Sequence, residues 1–138
     1  MNSIRLAQKV DSNRVFIDVE QQYGITLPEE LCAFLKQNSR GIPTTKTMFF
    51  DNKEYLLSGF VSVDEKDKYN LLSILESMKG EAGTEGFIPF ATDGFGNYYG
   101  IVFREKTPEF IAYYNAENGD VSFVCKEFKE IKQALGLS

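Results

Sequence analysis

The chain has no histidine and no tryptophan, only two cysteines and four prolines, and no long apolar run. Each absence removes a class of function. Without histidine there is no Ser-His-Asp triad, no Cys-His pair, no imidazole general base and no histidine-ligated metal. Cys32 and Cys125 are too few for a four-cysteine zinc site or a disulfide framework. They read most simply as buried thiols of a reducing compartment, with a single bridge as the alternative. The opening MNSIRLAQKV has none of the apolar core of a secretory leader, and no stretch is long enough to cross a bilayer. A cytoplasmic protein with no membrane contact is expected.

What is present describes an ordinary globular domain. The 138 residues are 43% hydrophobic and 25% charged, which excludes disordered and low-complexity architectures. A chain of this length buries about 70% of the surface its unfolded form exposes, so it needs no staples. Twelve Phe and seven Tyr promise a large aromatic core. No repeat, proline-rich linker or charge block divides residues 1–138, and one domain is expected.

The net charge is −5, but its distribution says more than its sum. Met1 to Lys46 carries five acids and six bases, Thr47 to Cys125 thirteen acids and six bases, and Lys126 to Ser138 two acids and three bases. From Gly80 through Phe103 there is no Lys or Arg, while Glu81, Glu85 and Asp93 are present. Direct nucleic-acid binding requires the opposite sign. An acidic segment suits a basic protein partner.

The apolar spacing changes twice along the chain. Phe16, Val19 and Tyr23 fall at helical intervals before the stop at Gly24. Thr26 and Glu29 then form a capping-box pattern, with Pro28 in the first turn and Leu31, Phe34 and Leu35 on one face. Thr47–Phe50 and Glu54–Val63 read as extended, joined by a turn at Asp51-Asn52-Lys53 and interrupted near Gly59. Helical spacing returns at Leu71, Ile74, Leu75 and Met78, and Gly80, Gly83 and Gly86 follow as a loop. From Phe87 the pattern is a meander, with strands over Phe87–Ala91, Tyr98–Phe103, Phe110–Asn115 and Val121–Cys125. Residues 104–109 read as a loop, and Asn118-Gly119 is a strong hairpin signal. Phe128, Ile131 and Leu135 close the chain as a helix. The expected fold is α+β: an antiparallel meander with helices at the N-terminus, one inserted and one at the C-terminus.

The segment Asp93-Gly94-Phe95-Gly96-Asn97-Tyr98-Tyr99-Gly100 has the glycine density of a nucleotide-binding loop. Its third glycine is one place late for GxGxxG, and it leads into a strand where that motif requires a helix. Phe95 stands where a calcium loop needs an oxygen ligand. The segment is a glycine-rich β-turn, and no cofactor or metal site is expected. Two placed carboxylates could still do acid–base chemistry, but with 20 acids some pair always lies close. Tyr98, Tyr99, Tyr113 and Tyr114 form adjacent pairs on sequential strands, so each strand sends one tyrosine to each face. One face should pack under the helices. Tyrosines on the other either anchor an interface or are covered in turn. Cys125 shares strand parity with Val121 and Phe123, and with no histidine to activate them both thiols should be inert.

The run LPEELCAFLKQNSRG, Leu27 to Gly41, resembles the "LP…fL…NGG" opening of the SUKH superfamily, which includes the fungal Smi/Knr cell-wall regulators. The run IPFATDGFGNYYGIVF, Ile88 to Phe103, is similar to that family's "pfa.dg.Gd.y.ld" core. Asn38-Ser39-Arg40-Gly41 replaces the usual Asn-Gly-Gly, and Asn97 stands where the family commonly has Asp. The resemblance implies an α+β fold and, for bacterial members, an immunity role: binding and neutralising a cognate toxin, frequently a nuclease.

The expectation is therefore a non-catalytic protein-binding protein whose partner is a basic toxin domain. The alternatives are a regulatory scaffold for a cellular partner, and a small-ligand-binding protein or carboxylate enzyme. The partner-binding residues expected are Glu81, Glu85, Asp93, Phe95, Asn97 and Tyr98. Nothing in the sequence assigns an oligomeric state.

Overall fold

The first helix, α1 (Arg14–Tyr23), buries Val15, Phe16 and Val19 and ends where Gly24 takes the left-handed conformation. The second, α2 (Glu29–Gln37), buries Leu31 and Leu35. Its start corrects the expected capping box. Pro28, extended at ψ 135°, is the N-cap, and Thr26 lies exposed outside the helix. The Leu27 N–H donates instead to Glu20 Oε2 of α1 at 2.7 Å, which ties the two helices together. These features come from a computed structural model that describes residues 3–137.

Short strands β1 (Ile4–Arg5) and β2 (Ile42–Pro43) pair across the two helices. The hairpin β3 (Thr47–Phe50) and β4 (Lys53–Leu56) turns on Asp51 and Asn52, both at positive φ. Five strands form the main antiparallel sheet in the order β5 (Gly59–Phe60), β6 (Phe87–Thr92), β7 (Tyr98–Arg104), β8 (Thr107–Asn115), β9 (Asp120–Cys125). The inserted helix α3 (Leu71–Met78) is capped by the Asn70 side chain, which accepts from Ser73 N–H at 3.2 Å. The closing helix α4 (Phe128–Ala134) starts where Glu130 Oε2 accepts from the N–H groups of Lys126 (3.0 Å) and Glu127 (2.8 Å).

The sheet has two apolar faces, and both are used. The inner face, with Phe90, Tyr99, Ile101 and Ile111, joins α1, α2 and α4 in one large core. The outer face carries Phe87, Ala112 and Tyr114, packed with Met78 of α3. The Phe87 ring lies over Gly100, where a Cβ would fall 2.6 Å from its Cζ. Only glycine leaves room for that ring.

Two local expectations need correction. Residues 104–109 are not an open loop: strand β8 resumes at Thr107 after a two-residue turn of Glu105 and Lys106, both at positive φ. Cys125 does not share a face with Val121 and Phe123. The β8–β9 register shifts between Ile111 and Ala112, so Val124 and Cys125 both turn into the main core.

Candidate functional site

The β6–β7 turn is built around one carboxylate. Asp93 is 6% exposed and accepts four hydrogen bonds. The N–H groups of Phe95 (2.8 Å) and Asn97 (3.2 Å) donate to Oδ1. Asn97 Nδ2 (2.9 Å) and the Tyr113 hydroxyl (2.6 Å) donate to Oδ2. Burial alone would raise the Asp93 carboxyl, but the bonds from Tyr113, Asn97 and the backbone outweigh it and hold its pKa below the usual carboxylate value. The Tyr113 hydroxyl is pushed up to about 12 by burial and by the Asp93 carboxylate.

Gly94 and Gly96, at φ 86° and 88°, let the chain fold round this acid. The result presents Phe95 outward at 78% exposure from a backbone locked at both ends. Asn97 also explains itself. Its Nδ2 donates to Asp93 while its Oδ1 accepts from Ala116 N–H at 2.9 Å, joining the β6–β7 turn to the β8–β9 turn. An aspartate there could only accept, and would set one carboxylate against another.

A second turn-to-turn contact completes the surface. Residues 80–86 reach the β8–β9 turn, where a Cβ on Gly119 would meet Ala82 Cβ at 3.1 Å. Three loops therefore touch in sequence: 80–86, 116–119 and 93–97. Glu81 and Glu117 of these loops and Asp120, the first residue of β9, are exposed, and among the described residues none of the three takes part in an ion pair. Glu117 and Asp120 were missed in the sequence reading. Their signal was there, since Thr107 to Cys125 also lacks Lys and Arg. Only the fold lays that stretch beside the base-free Gly80 to Phe103.

The remaining expected residues divide. Tyr98 is half-buried on the outer face, directly across from buried Tyr114. The Tyr99 and Tyr113 rings meet at a tilt of 54° on the inner side, centroids 5.1 Å apart, and the Tyr99 hydroxyl donates to the carbonyl of Leu56 at 2.6 Å. Glu85 is exposed but lies apart, beside a cleft of about 290 Å³ lined by Tyr23, Leu75, Met78 and Lys79. A larger cleft of about 330 Å³ opens between the start of α2, the beginning of β8 and the β9–α4 junction. Leu31, Ile101, Ile111 and Phe128 line it. Among the described residues, no three His, Cys, Asp or Glu side chains gather closely enough to hold a metal ion. Among them, no helix is long and apolar enough to cross a membrane.

Both cysteines are free. Burial first, then Glu20, pushes the Cys32 thiol up to about 11; burial first, then Glu130, pushes Cys125 up to about 12. At pH 8 the native protein should react with a disulfide reagent about a hundredfold more slowly than a free thiol, because so little thiolate is present. Both thiols should react at once in urea. Fast labelling of either one in the native state would contradict this environment.

An α+β framework, an antiparallel sheet packed against helices with one turn built around a buried carboxylate, defines the class. The chain belongs to the SMI1/KNR4 family (SUKH-1), whose pattern it matches over residues 12–133. Among curated proteins there is no significant match. Family membership is consistent with an immunity or cell-wall-related protein that acts through protein contacts.

Proposed function

We propose that the chain is a non-catalytic immunity protein that binds and neutralises a basic toxin domain through the three-loop face. The observation that carries this reading is the meeting of two base-free stretches around one locked, exposed aromatic. Phe95 supplies an apolar anchor with little entropy left to lose, since the Asp93 bonds already fix its backbone. Glu81, Glu117 and Asp120 around it attract a partner of opposite sign before contact.

The test is a charge reversal that leaves Asp93 alone, because its carboxylate is committed to the turn. A Glu81→Lys, Glu117→Lys, Asp120→Lys variant changes only exposed residues and should fold normally. In capture from the native cell, the unaltered chain should retain a basic protein that the variant releases. Association with that protein should slow about tenfold or more at low salt, and the difference should shrink at physiological salt, where the Debye length is about 8 Å. Phe95→Ala should instead speed dissociation. If the folded triple variant captures the same protein with unchanged salt dependence, this face does not dock it.

A further inference from the structure

Strand β9 is an edge of the five-stranded sheet: β8 pairs with one side, and no described strand pairs with the other. Edge strands are ordinarily guarded by lysine, proline or a cover. Asp120–Cys125 contains neither residue, and Phe123 stands 56% exposed beside Phe110, ring centroids 5.5 Å apart. The open part is short. The bulge at Val124 and the turn into α4 confine regular pairing to Asp120–Phe123, roughly 13 Å of edge at about 3.3 Å per residue.

We propose that this edge takes an extended segment of the partner as an added strand, and that the segment alternates basic and apolar residues. The inference rests on the binding role assigned above and specifies how part of the contact is made. Alternation follows from the two faces of β9. Val121 and Phe123 lie on the outer, apolar face, so side chains beside them should be apolar. Asp120 and Ser122 lie on the other face and are exposed, with Glu117 just before them and no Lys or Arg from Thr107 to Cys125. Side chains beside those positions should be basic. Backbone bonds to the free edge supply affinity, and the alternating faces supply selectivity. A second copy of the chain fits less well, because it presents the same acidic edge and a net charge of −5.

The probe is a synthetic peptide of alternating lysine and valine, with an alternating glutamate–valine peptide as control. With the lysine peptide, amide hydrogen exchange should slow at the alternate residues of Asp120–Phe123 whose N–H groups point away from β8, and more salt should weaken the effect. The glutamate peptide should leave exchange unchanged. Phe123→Lys and Ser122→Lys alter exposed side chains, and each should lower lysine-peptide affinity at least tenfold while circular dichroism stays native. Unslowed exchange at these amides, or equal peptide binding by both variants, overturns the proposal. Sedimentation showing a dimer with the same amides protected overturns it in favour of a second copy. Strand addition and the binding role it rests on fail separately. If the loop charge reversal abolishes partner capture while Phe123→Lys and Ser122→Lys retain it in full, the docking face stands and strand addition does not.

Discussion

Leu35→Ala should cost the protein about 3–5 kcal/mol and Leu31→Ala about 2–4, as large-to-small changes at sealed sites do. Leu35 is 0% and Leu31 2% exposed, and both belong to the core shared by α1, α2, α4 and the inner sheet face. Removing either side chain forfeits its transfer free energy and leaves a void that three elements must collapse to fill. Phe34 sits differently. Its ring is half-buried, edge-on to Phe60 at 4.8 Å and to Phe128 at 5.2 Å, with Lys132 Nζ 5.7 Å above it. Water can reach part of the space it leaves, so Phe34→Ala should cost about 2–3 kcal/mol, less than Leu35→Ala. Urea melts measure all three. Losses below about 0.5 kcal/mol for both leucines would mean that this helix face is not seated on the sheet.

That face was legible because its spacing is helical and its residues are apolar, and the same holds for Phe128 and Ile131 in α4 and Leu135 at its C-cap. The meander was legible from its aromatic and β-branched strands, and the turn at Gly119, φ 78°, from its Asn-Gly signal. The β7–β8 turn carried no such signal. Glu105 and Lys106 occupy left-handed positions that cost roughly 1–2 kcal/mol for residues with a Cβ, and nothing local betrays them. A proline is ordinarily excluded from a strand interior, yet Pro108 sits at a register shift, opposite Phe103, where the ladder is already broken. Arg40 is a further case. It takes φ 61° in the Asn38-Ser39-Arg40-Gly41 turn, while buried Ser39 accepts from the Val63 N–H at 2.9 Å. The turn is held by tertiary bonds that local sequence does not show.

The candidate site was legible as three acids, Glu81, Glu85 and Asp93, with Phe95, Asn97 and Tyr98 along the same stretch, but not in its arrangement. Charge counting along one stretch found Glu81 and Glu85 but could not show that the β8–β9 turn folds against Ala82 and Gly83, next to Glu81, while Glu85 borders the cleft by Tyr23 and Lys79. Nor could it separate an acid that faces a partner from one that builds the turn. Asp93 and Glu81 look alike in the sequence. What distinguishes them is Tyr113, twenty residues on, whose hydroxyl reaches Asp93 across the sheet. The commitment of the Asp93 carboxylate to the turn is thus a tertiary fact with a sharp consequence.

Asp93→Ala should destabilise the protein by about 2–4 kcal/mol at pH 7, since it strips four donors of a charged acceptor at once. Two of those donors, the Tyr113 hydroxyl and the Asn97 amide, are partly buried and cannot all find water without opening the turn. Tyr113→Phe removes a single donor and should cost about 1–2 kcal/mol. The pH dependence separates this account from a simple packing loss. The folded state holds the Asp93 carboxyl below its unfolded value of about 3.9, so its stabilisation is fully present above that pH and is lost as pH falls through the folded pKa. The gap between the native chain and Asp93→Ala should therefore be widest at neutral pH and narrow below about pH 4. Binding should fall with stability only in part. With the turn unlocked, Phe95 must be ordered on contact, so the partner complex should weaken even at temperatures where the variant is fully folded. Urea melts between pH 7 and pH 3 provide the measurement. A gap that stays constant to pH 3, or one under about 0.5 kcal/mol at pH 7, would show that the carboxylate does not hold the turn.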